Sequence, residues 1–555
     1  MVAMASAFLT GEDSRDSIPR TKTLLARATG RFYTHEVVGQ HLVDAVCRHA
    51  NFPNAVGFRV LDPFCGDGRL VCWLIRHITA SKSYRARSWE IELWDCDQEA
   101  LVFARNAVVA KARSCGLEAS VTTLGVDTFD HAPANFGKYD VVVTNPPWEV
   151  IKPDRRENST LAPGKAQEYL KWLRDQSRRL AELYPVSGGG RKFSGWGVNL
   201  ARCGTEAALR LTASTGICGI VSPASLWADQ VSGSFREWIC LEHFIHDLAF
   251  FPAEARLFDG VDQPSITMVV SPGKPKTLEF LATVYDRKRN PVRQFPMILD
   301  IEELQAHGFV IPLQFGLGQT QLQKKLHKLH SFQDLEGKSS AGLWAGRELD
   351  ETGHKKYLAN SGDYRFVKGR MIGRFRDLES PTQFVKRNGP NIPPSADHWR
   401  IAWRDVSRPT QKRRIQATLI PPGWVSGNSL SVAYFRKDDR ARLKALLAVM
   451  NSLVFEFQVR GFLSTAHVSL GAVRRARIPD LSDRRLIRRL AQLVNRCTKH
   501  ASAEVELEIA IAGLYGLCRA EFAELLTHFE KLDRKEVHEL LSPSKWVSLP
   551  NDTNR

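Results

Sequence analysis

Residues 58–78, FRVLDPFCGDGRLVCWLIRHI, constrain the fold more than any other stretch of the chain. FRVLDPF is an apolar run of strand length, the glycines after it mark a tight turn, and LVCWLIRHI resumes at helical period. The same succession recurs downstream. IELWDC reads as a second strand, QEALVFARNAVVAKARSCG as a helix ending at Gly116, SVTTLGVD as a third strand and YDVVVTNPPW as a fourth. Strands alternating with helices make βαβ units, so the expected fold class is α/β with a parallel, Rossmann-like sheet. A helix over 37–50 precedes the first unit, and TGICGIVSP, IHDLAFF and SITMVV continue the sheet. The joint SPGKPKT (271–277) is expected to end this domain.

Residues 151–200 break the alternation with charged residues and the run SGGGRKFSGWG, as a long functional loop after a motif would. From about 300 to 480, short β-like runs such as RFVKGRMIGRF and RIAWRDV surround one helical stretch, ARLKALLAVMNSLVFEFQV. The last 75 residues read as helical. The expected organisation is a leader over 1–30, an α/β domain over 31–280, an α+β domain over 281–480 and a helical segment over 481–555.

Composition excludes several classes. With 43% hydrophobic and 25% charged residues the chain is globular rather than disordered or fibrous. No apolar run reaches the ~18 residues of a membrane span, so no membrane partner is expected. The first residues lack a basic region before their short apolar stretch, unlike a secretory signal. Ten cysteines without a CxxC pair point to reduced thiols and a cytoplasmic protein. The net charge of +17 is concentrated: residues 351–480 hold 24 basic and 10 acidic residues. Clustered cations displace counterions from phosphates, so a nucleic acid is the expected partner. Within that block Arg404, Arg413, Arg414, Arg474 and Arg475 are the candidate DNA contacts.

Two motifs carry chemistry. In DPFCGDG, Gly66 and Gly68 allow close backbone approach to a ligand at a helix N-terminus. Asp95 closes the next strand, where a carboxylate can accept both hydroxyls of a ribose. The loop lacks the third glycine of a pyrophosphate site, and Asp62 would repel phosphate, so a nucleoside without phosphates fits better. The second motif is NPPW, Asn145 to Trp148. Two prolines cannot extend a central strand, so a rigid turn is expected. It offers the Asn145 amide oxygen and the Pro146 carbonyl, followed by Pro147, which has no N–H. Two such acceptors suit an exocyclic amine, and Trp148 supplies a flat stacking face.

In this combination and order the sequence resembles the S-adenosylmethionine-dependent amino-methyltransferases, specifically the gamma-class adenine-N6 DNA methyltransferases. RFYTHEVVGQHLVDAV (31–46) is similar to the family's leading segment, DPFCGDG to its cofactor loop and NPPW to its catalytic turn. The resemblance implies that Phe32, Thr34, Asp62, Phe64, Gly66, Gly68 and Asp95 bind S-adenosylmethionine. It also implies that Asp127 receives the cofactor's adenine amine. Asn145, Pro146, Pro147 and Trp148 would be catalytic, with Phe258 a second aromatic for the extruded base. Phe250 and Phe251 are alternatives to Phe258. It extends over roughly 25–275, and more loosely into the basic segment, where YRFVKGR, RRIQATLIPPG and FLSTAHVSLGAVRRARIPDL resemble target-recognition regions. It thus implies a C-terminal α+β target-recognition domain with a helical tail, and double-stranded DNA as substrate. Restriction or phage-defence subunits would be possible partners. About thirty residues precede Phe32, where combined methylase-nucleases carry a nuclease domain, so DNA cleavage is not expected.

Other constellations are weaker. His35, Glu36 and His41 have the wrong spacing for two zinc ligands on one helix face, and no metal is expected. No cysteine has a neighbouring base that would make it a nucleophile. An RNA or protein amino-methyltransferase, a partner-dependent subunit of a defence complex and a non-catalytic DNA-binding module are the competing readings.

Overall fold

A computed structural model describes residues 33–50, 58–80, 88–151, 163–188, 197–229, 231–258, 263–306, 308–311, 322, 325–326, 328–386, 391–408, 411–463, 467–500, 502–529 and 531–546. The expected leader, Phe32 and most of SGGGRKFSGWG lie outside these residues. The chain divides into two compact units, Met1–Gln314 and Phe315–Arg555.

The first unit opens with helix α1 (Glu36–His49), then β1 (Phe58–Asp62), α2 (Arg69–Ala80), β2 (Trp89–Asp95), α3 (Gln98–Ser114), β3 (Ala119–Gly125) and β4 (Tyr139–Thr144). It continues through α4 (Pro163–Leu183), α5 (Leu200–Leu211), β5 (Thr212–Pro223), β6 (His243–Phe251), β7 (Ser265–Pro272), β8 (Thr277–Tyr285) and β9 (Pro291–Asp300). All nine strands form one sheet in the order β9-β8-β6-β7-β5-β4-β1-β2-β3. β3, β2, β1, β4 and β5 run parallel, while β7 lies antiparallel between β5 and β6. β1 and β4 are buried almost end to end, as strands covered on both faces must be. The order reverses between β1 and β4, which makes the crevice at their carboxyl ends the place where open α/β sheets hold ligands.

Local signals explain the helices. Asp97 caps α3 by accepting from the amides of Glu99 and Ala100, and Gly116 follows its end with φ +66°. α2 buries Leu70, Leu74, Ile75 and Ile78 on one face. Two expectations are corrected here. Residues 271–277 join β7 to β8 inside the sheet instead of ending it, because β8 pairs in parallel with β6. The segment after the NPPW turn holds the 21-residue helix α4, not only loop, since Tyr169, Leu173 and Leu180 give it an apolar face that is buried.

The second unit has a four-stranded antiparallel sheet of β10 (Leu343–Gly346), β11 (Arg400–Arg404), β12 (Ala417–Ile420) and β13 (Leu430–Phe435), in the order β10-β13-β11-β12. A second sheet pairs Leu358–Ala359, Phe384–Val385, Tyr364–Val367 and Trp424–Ser426. Helices α6 (Arg440–Met450), α7 (Leu453–Gly461), α8 (Arg484–Cys497), α9 (Ala503–Leu514), α10 (Arg519–Leu526) and α11 (Arg534–Leu540) follow. One apolar core runs from Phe332 and Trp403 to Leu507, Phe522 and Leu540, so the sheet and the terminal helices pack as one body. Among the described residues no helix is long and apolar enough to cross a membrane.

Candidate active site

The two motifs meet at the reversal point. Asp62 ends β1 and Thr144 ends β4, and Thr144 Oγ1 donates to Asp62 Oδ1 at 2.8 Å. The Phe64 amide donates to the same oxygen at 3.2 Å. Asp62 is fully buried, and burial pushes its carboxyl up to about 7 against the opposite pull of Thr144 and Phe64.

The glycine loop is held against β2. The Cys65 amide donates to the Trp94 carbonyl at 3.0 Å, and the Gly66 amide to Asp95 Oδ2 at 3.0 Å. Asp95 Oδ1 accepts from the Asp97 amide at 2.9 Å, so this carboxylate shapes the loop and retains lone pairs for a ligand. Gly66 and Gly68 adopt φ +51° and +75°, a region that favours glycine. Arg69 ties the leading segment to the loop: it ion-pairs with Asp67, donates to the Thr34 carbonyl at 3.0 Å and lies 4.9 Å over the Tyr33 ring. Thr34 is thereby buried beside the loop. Asp127 caps the short helix Thr128–His131 through the Phe129 amide at 3.1 Å, with Arg179 of α4 at 3.9 Å. The Phe64 and Phe129 rings pack 5.3 Å apart.

In the NPPW turn, the Trp148 indole N–H donates to Asn145 Oδ1 at 3.0 Å. Trp148 is 7% exposed, and its ring lies 4.5 Å from that of Phe258 at 57°. The two candidate aromatics are therefore brought together in direct contact, without a slot between them. Phe251 lies elsewhere, stacked 4.4 Å from Tyr285.

Sequence reading missed four contributors. Thr144 bridges the motifs, Arg69 clamps the leading segment and Arg179 reaches Asp127. Gly204 lies in α5, which is buried over nearly its whole length; a Cβ there would sit 2.4 Å from Pro146 Cβ and 3.2 Å from the Phe64 ring. An isolated glycine inside a helical run was the available signal for it.

The basic candidates behave differently from expectation. Arg413 and Arg414 are each 6% exposed. Arg413 binds Glu456 at 3.0 Å and Glu508 at 2.8 Å, while Arg414 donates to the Ser407 carbonyl at 3.0 Å. Both are corrected from DNA contacts to internal cross-links, because the carboxylates of α7 and α9 claim their segment. Burial alone would raise the Glu456 carboxyl, but Arg460 and Arg413 hold it at about 2. Arg404 donates to the Ile372 carbonyl at 2.9 Å, Arg474 binds Glu336 at 2.6 and 2.9 Å, and Arg475 lies 5.5 Å from the Phe462 ring.

No protein-family model and no curated protein matches the chain. Solved structures do. The type IIL restriction-modification enzyme MmeI, in complex with DNA, superposes with a TM-score of 0.55 at 13% identity, over 91% of this chain and 79% of that one. A nuclease-deletion mutant of the type ISP restriction-modification enzyme LlaGI, with a DNA substrate mimic, gives 0.52 at 11% identity, over 88% of this chain. The match spans 48% of the LlaGI chain. The likeness is one of fold: a mixed α/β body with a parallel-rich sheet and a helical C-terminal region, the expected fold class.

Proposed function

We propose that the chain is a site-specific DNA methyltransferase that transfers a methyl group from S-adenosylmethionine to the N6 amine of an adenine flipped from double-stranded DNA. It would work in the cytoplasm, in restriction-modification or phage defence. One observation carries this reading: the DPFCGDG loop and the NPPW turn close adjacent parallel strands and are bridged by Thr144 and Asp62 at 2.8 Å. A nucleoside loop and an amine-accepting turn at one crevice are what amino-methyl transfer requires.

Thr34, Asp62, Phe64, Gly66, Gly68, Asp95 and Asp127 would hold the cofactor, with Phe32 preceding them. The donor set fits a cationic nucleoside: carboxylates and an aromatic ring, around a buried Asp62 whose ionised form a positive ligand would stabilise against the cost of burial. The cofactor, when bound, supplies an electrophilic methyl group. Asn145 Oδ1 and the Pro146 carbonyl would accept from the adenine amine and turn its lone pair out of conjugation with the ring. The Trp148 face would replace the stacking lost on base flipping, with Phe258 beside it. Orientation then supplies much of the rate, and the amine proton leaves to water after methylation, so no strong base is needed.

Incubating the purified chain with S-adenosylmethionine and unmethylated plasmid, then analysing the nucleosides by mass spectrometry, tests this. N6-methyladenine is the expected product. Methyl groups found only in cytosine, RNA or protein would overturn the reading.

A further inference from the structure

The arginines expected to face DNA are largely spent inside the second unit, yet that unit displays another basic surface. Helix α8 carries Arg484, Arg485, Arg488 and Arg489 over little more than one turn, and all four are exposed. Its opposite face, Ile487, Leu490, Leu493, Val494 and Cys497, is buried against the core shared with α6 and α9. Among the described residues none of the four arginines is in an ion pair. The carboxylates next to the patch in sequence are engaged locally: Asp480 accepts from Ser482 and Asp483 from the Arg485 amide. Farther along the helix, Arg496 is already paired with Glu506 at 2.7 Å, so the unpaired charge is confined to its first half.

We infer that this face of α8 is a contact surface for the DNA phosphate backbone, an assignment that rests on the proposed DNA substrate. Residues four apart stack on one side of a helix, so 484 with 488 and 485 with 489 form two adjacent rows, about 7.5 Å from first to last along the axis at 1.5 Å per residue. Duplex DNA presents one charge per ~1.7 Å of axis, and the guanidinium fork matches phosphate oxygens in pairs. A basic amphipathic helix can also bind an anionic membrane. Here the apolar face that would insert is committed to the core, and no large apolar side chain of α8 is among the exposed ones. What remains is charge without apolar surface, which suits a polyanion in water.

The test is equilibrium binding of the full chain to a duplex oligonucleotide over a potassium chloride series. It compares wild type with R484Q/R485Q/R488Q/R489Q and with the charge-keeping variant R484K/R485K/R488K/R489K. The glutamine variant should bind at least about tenfold more weakly, on every sequence alike, and lose about one unit of salt slope per phosphate contact removed. The lysine variant should keep the slope. Thermal midpoints equal to wild type establish that all variants are folded, as expected for exposed positions. Wild-type slope and affinity in a folded glutamine variant would overturn the surface assignment while leaving the methyltransferase reading intact. A wild type that binds no duplex and methylates none would overturn both. Arginine-dependent sedimentation with phosphatidylserine vesicles, with duplex binding unchanged, would overturn it in favour of a membrane.

Discussion

The indole N–H of Trp148 donates to Oδ1 of Asn145 at 3.0 Å, which fixes which end of the Asn145 amide is oxygen and which is nitrogen. A freely rotating amide would present its NH2 group to an incoming amine about as readily as its oxygen. In the proposed mechanism Trp148 therefore does more in this turn than stack: it orients the acceptor. Trp148→Phe keeps an aromatic face but loses the donor, and should lower kcat by about 10- to 100-fold, with cofactor affinity unchanged. Steady-state methylation with calorimetry separates the two effects. A Trp148→Phe enzyme as fast as wild type would show that stacking is the whole contribution.

If Asp62 lines the cofactor site as proposed, it should link pH to cofactor binding. Its folded pKa of about 7 lies above the ordinary value near 4, so below about 7 the buried carboxyl is mostly protonated. Protonation is favoured by folding, so this group's contribution to the stability of the free protein is fully present below about 4 and is lost as pH rises from there to about 7. A cationic ligand needs the ionised form, so S-adenosylmethionine affinity should rise with pH, by up to about tenfold per unit below pH 7. In Asp62→Asn the affinity should be weaker and flat with pH. Calorimetric titration from pH 6 to 8 reads both, and an equally steep profile in the variant would remove Asp62 from this role.

Gly204 offers a sign test. Replacing glycine by alanine within a helix ordinarily stabilises by about 0.5–1 kcal/mol. Here the new methyl meets Pro146 at 2.4 Å, and overpacking should destabilise by about 1–3 kcal/mol and displace the NPPW turn. Gly204→Ala should therefore melt lower than wild type and lose methylation. A higher melting temperature with full activity would mean that α5 yields without cost.

The buried ion network of the second unit makes the opposite prediction to α8. Removing Arg413 leaves Glu456 and Glu508 partly uncompensated inside the core, a change that costs about 3–5 kcal/mol. Arg413→Met should lower the thermal midpoint of the second unit markedly. Differential scanning calorimetry measures it, and an unchanged midpoint would show that the carboxylates find other partners.

These contrasts locate what was legible in the sequence. The alternation from Phe58 to Thr144 read through to parallel strands because the central strands β1 and β4 are buried nearly end to end and the helix α2 between strands has one apolar stripe. DPFCGDG and NPPW were legible because glycine and proline leave few conformations open at a strand end. What escaped depends on contacts between distant segments. Nothing near Gly204 in sequence announces Pro146, and nothing near Arg413 announces Glu508, 95 residues away. Charge summed over a window also does not say where each charge goes. Within residues 351–480, Arg400 and Arg413 are neutralised inside by Glu348, Glu456 and Glu508. The 481–555 segment holds 12 basic and 11 acidic residues, a near balance that hides the one-sided arginine face of α8. Helical periodicity applied to charge would have found it.

The most direct test of the central claim compares Asn145→Ala with Asp95→Ala. Asn145 is assigned to the target amine and Asp95 to the cofactor, so their losses should separate. For Asn145→Ala, N6-methyladenine formation should fall by at least about 100-fold, while S-adenosylmethionine affinity measured by calorimetry stays within about twofold of wild type. Asp95→Ala should lose cofactor binding itself. Undiminished methylation by Asn145→Ala, or a loss of cofactor binding equal to that of Asp95→Ala, would contradict the account.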